Sequence, residues 1–170
     1  MNHKSRLIAH AALIAAIYAV LTHLQNLLLP NSASFAIQLR LSEALCVLAL
    51  FSPTAISGLT IGCLLFNLTF AAALPFDWLA GSVATLIATA AMYALRGVRI
   101  KGYPLLSMLM PALTNAILVG WELTIYIGGG FWINALYVAL GEVIVLLTLG
   151  TVVFRVFEKR GLARILFHES

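Results

Sequence analysis

Residues 131–164 read FWINALYVALGEVIVLLTLGTVVFRVFEKRGLAR. The stretch 131–154 is an apolar run broken by one acid, Glu142, and is long enough to cross a hydrocarbon core of about 30 Å. Four cations follow it: Arg155, Lys159, Arg160 and Arg164. Basic residues beside a membrane span stay on the cytoplasmic side, so this span ends inside. Glu142 lies about 11 residues into the run. At 1.5 Å per residue that is roughly 16 Å, near the bilayer midplane.

Working outward, nine of the ten Lys and Arg residues fall into three such clusters. Lys4 and Arg6 precede the first apolar segment. Arg96, Arg99 and Lys101 follow the fourth, and the third cluster follows the sixth. An even number of crossings separates the clusters, so all three share one face. The expected fold is all-α: a polytopic membrane protein of six transmembrane helices with both termini cytoplasmic. The spans are expected at about 7–29, 38–51, 55–74, 78–95, 105–127 and 131–154, forming one integral membrane domain over residues 1–170. The first apolar stretch exceeds the 7–15 residues of a signal-peptide core, so it is expected to be retained.

Composition agrees. The chain is 62% hydrophobic and 9% charged, against about 25% charged in soluble domains. The net charge of +4 does not argue for nucleic acid, because the basic residues sit at helix ends, where topology and anionic lipid account for them. Cys46 and Cys63 lie in apolar runs without metal-ligand or CxxC spacing. No phosphate-binding GxxxxGK[ST] loop, HExxH or GxSxG motif is present. An enzyme is therefore not expected. The chain does not hydrolyse ATP by itself, and uphill transport would need a partner or an ion gradient.

The tenth cation, Arg40, opens the functional argument. Polar side chains at membrane depth are costly and usually face a bundle interior or a cavity. Arg40 and Glu43 are neighbours on one face of span two, preceded by Gln38. Asn67 lies in the outer part of span three, Asp77 at the outer start of span four, Asn115 and Glu122 in span five, and Glu142 in span six. Five spans thus place polar groups in the middle or outer half, while the cytoplasmic halves place almost none. A solute pocket facing outward accounts for this sorting; a self-satisfied Arg40–Glu43 pair is the plainer alternative. One cation against Glu43, Asp77, Glu122 and Glu142 gives a net −3. That suits a ligand rich in N–H donors or positive charge better than a phosphate. Trp78, Trp121 and Trp132 fall at outer span ends, as an interfacial belt or with one ring stacked on a flat heterocycle.

Span one carries Ala9, Ala11, Ala12, Ala15, Ala16 and Ala19, small residues that let another helix approach closely, from this bundle or another subunit. His10 and His23 read as packing residues, and Gly128–Gly130 as a turn or the hinge of a gating loop. Leu162, Ile165 and Leu166, interleaved with Arg160 and Arg164, form either an amphipathic stub on the inner leaflet or a frayed end.

The run Gln38-Leu39-Arg40-Leu41-Ser42-Glu43-Ala44-Leu45 resembles the signature of the QueT family. So do Gly58-Leu59-Thr60-Ile61-Gly62-Cys63 with Asn67, Asp77 with Gly81-Ser82 and Thr85-Leu86, Asn115 to Gly120, and Gly141-Glu142. The resemblance runs from about residue 7 to 158. It implies a substrate-binding S-component of an energy-coupling factor (ECF) transporter in a bacterial cytoplasmic membrane. Such a subunit captures a queuosine precursor outside, a 7-deazaguanine base with a cyano or aminomethyl group. It works with a transmembrane coupling subunit and two cytoplasmic ATPases, which alone use ATP; no cofactor is implied. Ala12 and Ala16 become the expected docking face for the coupling subunit. Glu43 or Glu142 is the candidate for the base's N–H edge, and Gln38, Arg40, Asn67 or Asn115 for its carbonyl. Asp77 would suit an aminomethyl cation, and Trp132 or Trp78 the ring face. Three alternatives stay open on sequence: an S-component for another vitamin or nucleobase, a stand-alone proton-coupled carrier using Glu142, and an assembly protein whose polar residues join helices.

Overall fold

A computed structural model describes residues 2–30, 32, 39–70 and 73–167, excepting the side chains of 163–165. Gln38, residues 31 and 33–37 of the first outer loop, the side chains of Arg164 and Ile165, and His168 lie outside the described residues. Helices form every regular element among the described residues, apart from a single Ile100–Tyr103 bridge. They are α1 (His3–Leu28), a 3-10 helix (Leu41–Leu50), α2 (Thr54–Thr69), α3 (Asp77–Ala94), α4 (Leu105–Met108), α5 (Met110–Tyr126), α6 (Phe131–Val145), a π segment (Leu146–Gly150), α7 (Thr151–Lys159) and α8 (Leu162–Phe167).

The polarity is that of a membrane protein. Large apolar side chains cover the outside, including Ile8 (70% exposed) and Leu27 (76%), while Arg40, Glu43, Asn67, Asn115, Glu122 and Glu142 are buried. Three stretches are long and apolar enough to cross a bilayer: His3–Leu28, Leu105–Tyr126 and Phe131–Lys159. The other three expected spans form shorter or less apolar helices. Span three ends at Thr69 rather than 74. Span five is broken at Leu109, where Pro111 has no N–H to continue the ladder. Span six runs on through the π segment to Lys159.

The largest departure is in span two. The expected helix over 38–51 is a ten-residue 3-10 helix, with bonds such as Glu43 N to Arg40 O (3.0 Å) and Phe51 N to Leu48 O (3.0 Å). A 3-10 helix rises about 2.0 Å per residue against 1.5 Å, so ten residues reach about 20 Å instead of 15 Å. Runs this long are uncommon because the hydrogen bonds are poorer; tertiary contact holds this one. Eight of its ten residues are buried, and it touches α1, α2, α3, α6, α7 and the π segment. Around it α1 packs on α2, α2 on α3, α3 on α5 and α5 on α6.

The bundle is dry at one end. Val47, Leu50, Leu59, Met92, Met108 and Phe154 form an apolar core. The basic clusters collect at this end: Arg99 pairs with Glu158 at 2.7 Å, and Phe167 of α8 meets His10 edge-on at 6.1 Å and stacks on Phe157 at 6.4 Å. The start of α1, the α3–α4 loop and the C-terminal helices are therefore neighbours.

Lipid tails give little hydrophobic drive between helices, so close packing does the work. The alanines of α1 divide between two roles. Ala15 is buried and Ala11 partly buried, whereas Ala9, Ala12 and Ala16 face outward. A Cβ added to Gly58 of α2 would lie 2.8 Å from Ala11 O, and one added to Gly62 would lie 2.8 Å from both Ala15 O and Tyr18 Cβ. Gly62→Ala should therefore lower stability by about 1–3 kcal/mol. Gly97→Ala, at an exposed turn with nothing within 4 Å, should leave it unchanged. Thermal unfolding of the detergent-solubilised variants reads both.

Candidate functional site

The site starts with Gln25, which fixes where the 3-10 helix begins. Its amide oxygen accepts from Leu41 N at 2.8 Å, and its Nε2 donates to Leu39 O at 2.5 Å. With entry fixed, the threefold period aligns residues three apart. Arg40, Glu43 and Cys46 stack in one row: Arg40 Nη1 lies 4.0 Å from Glu43 Oε1, and Cys46 Sγ donates to Glu43 Oε2 at 3.0 Å. The Tyr18 hydroxyl of α1 donates to Glu43 Oε1. Beside it Thr22 Oγ1 lies 2.7 Å from Ser42 Oγ. Arg40 also lies 5.8 Å from the Phe66 ring centre and 3.9 Å from Cys63 Sγ on α2.

Two further groups flank this row. Asn115 of α5 donates through Nδ2 to Glu142 Oε1 of α6 at 3.0 Å. Glu142 is within electrostatic range of Glu43 and Arg40. Its Oε2 and Asn115 Oδ1 are buried with no hydrogen-bond partner among the described residues. On the other side Asn67 donates to the Asp77 backbone carbonyl at 2.9 Å and lies 3.6 Å from Cys63 Sγ. The Asp77 carboxylate accepts from Leu74 N at 2.6 Å, closing the α2–α3 turn.

Of the residues expected from sequence, Arg40, Glu43, Asn115 and Glu142 come together, and Asn67 joins them through Cys63. Asp77 sits beyond Asn67 and faces Glu122 as well. Trp132 stays apart: it is 83% exposed, packed edge-on against Phe131. Trp78 and Trp121 are also exposed. The indoles sit at the helix exterior, and the aromatic rings inside the cluster are Tyr18 and Phe66. The sequence reading passed over Tyr18, Thr22 and Gln25, all buried. Their i, i+4, i+7 spacing on α1 is the signal that would have found them. His23 packs edge-on against Phe66 and bonds Thr69 Oγ1 at 2.8 Å. Gly128 and Gly129 adopt positive φ in the α5–α6 turn, which Asn134 ties down by donating to Gly128 O at 3.0 Å.

The cluster offers one guanidinium, two buried carboxyls and amide groups, with acceptors in surplus at Asn115 and Glu142. Such a surface takes N–H donors. A buried acceptor left unmatched is costly. Compared with known families, the chain matches the one described as QueT transporter over residues 8–159. Comparison with curated proteins and with solved structures gave no match.

Removing one partner of a buried ion pair leaves the other uncompensated. Arg40→Met should cost about 3–5 kcal/mol for that reason. The Arg40→Met, Glu43→Gln double variant should lose less than the sum of the singles. A double-mutant cycle on unfolding in detergent measures the coupling; additive losses would mean that the two charges act independently.

Proposed function

Because the chain belongs to the QueT transporter family, we propose that it is the substrate-binding S-component of an ECF-type importer for a deazaguanine queuosine precursor. In this reading it is a single six-span domain of a bacterial cytoplasmic membrane, multi-pass, with both termini inside. It is not an enzyme and carries no cofactor; ATP is consumed only by two partner ATPases, which act through a coupling subunit. The gathering of the basic clusters at one end supports the orientation.

One observation carries the ligand class. Asn115 Oδ1 and Glu142 Oε2 are buried acceptors without hydrogen-bond partners among the described residues, on neighbouring helices joined by the Asn115–Glu142 bond. A guanine-like edge presents a ring N–H and an exocyclic amine, two donors for such a pair. Glu43 has both oxygens engaged by Tyr18 and Cys46. Glu142 is therefore the better reader of the base edge, and Glu43 the group that holds Arg40 in place. Arg40, within electrostatic range of Glu142, is the donor for the base carbonyl, with Asn67 as the second candidate. The outward Ala12 and Ala16 form the face offered to the coupling subunit.

Thermal melting of the detergent-purified subunit tests the reading, with 7-cyano-7-deazaguanine and 7-aminomethyl-7-deazaguanine as ligands and guanine and riboflavin as controls. A ligand that binds only the folded state raises the melting temperature. A shift with a deazaguanine alone is expected, and Glu142→Gln should weaken binding by about ten-fold or more. No shift in folded protein, or uptake by proteoliposomes lacking any ATPase, would overturn the proposal. Docking has its own test. Ala16→Leu should reduce co-purification with the coupling subunit at unchanged melting temperature, whereas Ala15→Leu should lower the melting temperature itself.

A further inference from the structure

The end of the bundle that gathers the basic clusters carries a surface that the deazaguanine cluster does not use. Between α3 and α4 the chain makes a tight hairpin. Ile100 N donates to Tyr103 O at 2.8 Å, and Tyr103 N donates to Ile100 O at 3.0 Å. Lys101 (φ 51°) and Gly102 (φ 81°) both take positive φ, the geometry of a type I′ turn. Lys101 is the one residue other than glycine with positive φ among the described residues. That conformation is uncommon for such a residue, and here it sets an ammonium side chain at an exposed tip.

Arg99 clamps the hairpin to α7. Its Nη1 donates to Gly102 O at 3.4 Å and to Glu158 Oε1 at 2.7 Å. Beside it the Tyr103 hydroxyl bonds Thr151 Oγ1 at 2.5 Å. Thr151 and Glu158 thus mark the α7 face that meets the hairpin. Arg155 stands four residues from one and three from the other, so it shares that face, and Lys159 follows it one turn on. Glu158 is engaged by Arg99. Lys101, Arg155 and Lys159 are exposed and have no ion pair among the described residues. Their border is apolar. Ile100 of the hairpin is 54% exposed and Val152 of α7 58%, with Val156 also exposed one turn beyond.

Three such cations beside exposed apolar side chains match an amphiphilic anion. We propose that the hairpin and α7 form a binding site for an anionic phospholipid. The headgroup phosphate lies among Lys101, Arg155 and Lys159, and an acyl chain runs along Ile100, Val152 and Val156. Basic side chains at a membrane surface attract anionic lipid, and apolar side chains at the same level sink into the boundary between headgroups and chains. A soluble phosphate would satisfy the cations but leave the apolar border in water. Such a site needs only the membrane setting, and it holds or fails independently of the deazaguanine reading.

Fluorescence anisotropy tests the site. The full chain in dodecyl-maltoside micelles is titrated against phosphatidylglycerol or phosphatidylcholine, each labelled on an acyl chain. Phosphatidylglycerol should half-saturate at a concentration about ten-fold below phosphatidylcholine. The Arg155→Gln, Lys159→Gln double variant should remove most of that preference. Lys4→Gln with Arg6→Gln removes the same charge at the same end and should leave the preference unchanged. The reason is geometric: α1 approaches α7 through Phe167 and Phe157, and Phe157 lies about 200° around the helix from Arg155. Equal losses from the two double variants would mean diffuse attraction to the whole basic end and would overturn the site. Equal affinity for the two lipids in the wild type would leave the cations to topology or to an acidic protein segment, and would also overturn it. Displacement of the labelled lipid by glycerol 3-phosphate would assign the cations to a soluble phosphate and overturn the lipid occupant. Displacement by unlabelled phosphatidylglycerol, and not by glycerol 3-phosphate at the same concentration, supports it. The lipid comparison and the displacement use the wild-type protein, so they decide even where a variant does not fold.

Discussion

The structure turns on one buried carboxylate. Glu43 is fully enclosed, accepts from Tyr18 and Cys46, and sits beside Arg40. The two charged members, Glu43 and Arg40, would not tolerate hydrocarbon alone, since an unpaired charge at depth costs several kcal/mol. Together they satisfy one another, and in doing so they tie α1 to the 3-10 helix, while Arg40 reaches Cys63 and Phe66 on α2. The 3-10 period makes the row possible. In an α-helix Cys46 would point about 120° away from Arg40.

The rest of the bundle can be read as what is needed to hold that row. Because lipid supplies no hydrophobic drive between helices, α1 and α2 are joined by alanine against glycine. The same device recurs where a Cβ on Gly120 would lie 2.8 Å from Ala135 Cα, closing α5 on α6. The apolar core fills the basic end. The polar groups, excluded from it, collect toward the other end. That division leaves Asn115 and Glu142 with acceptor capacity their neighbours do not use. The polar residues that bond one another thus fix the fold.

Much of this was legible in the chain. Basic clusters at even spacing marked residues that gather at one end of the bundle, and apolar run lengths placed the helices to within a few residues over most of the chain. The depth sorting of Arg40, Glu43, Asn67, Asn115 and Glu142 marked the residues that cluster. These follow from the free energy of moving each segment from water to lipid, which is set by local composition. The 3-10 geometry of span two was not legible, because a ten-residue apolar stretch fits either helix and only its surroundings select one. The division of the α1 alanines, with Ala11 and Ala15 against α2 and Ala12 and Ala16 outward, depends on where α2 docks. The outward position of Trp132 depends likewise on the rotation of α6 about its axis.

What the sequence determined by itself is the partition: which segments are apolar helices, which end carries the positive charge, and that a few charged groups must lie within. What only the tertiary structure decided is the pairing among those groups. Glu43 and Glu142 are both buried carboxyls in apolar segments, and nothing in their local sequence separates them. One is saturated by Tyr18, 25 residues away, and the other keeps a free oxygen beside Asn115. Hydrogen bonds act over about 3 Å, so their partners are chosen by packing between helices distant in the chain, which local composition does not encode.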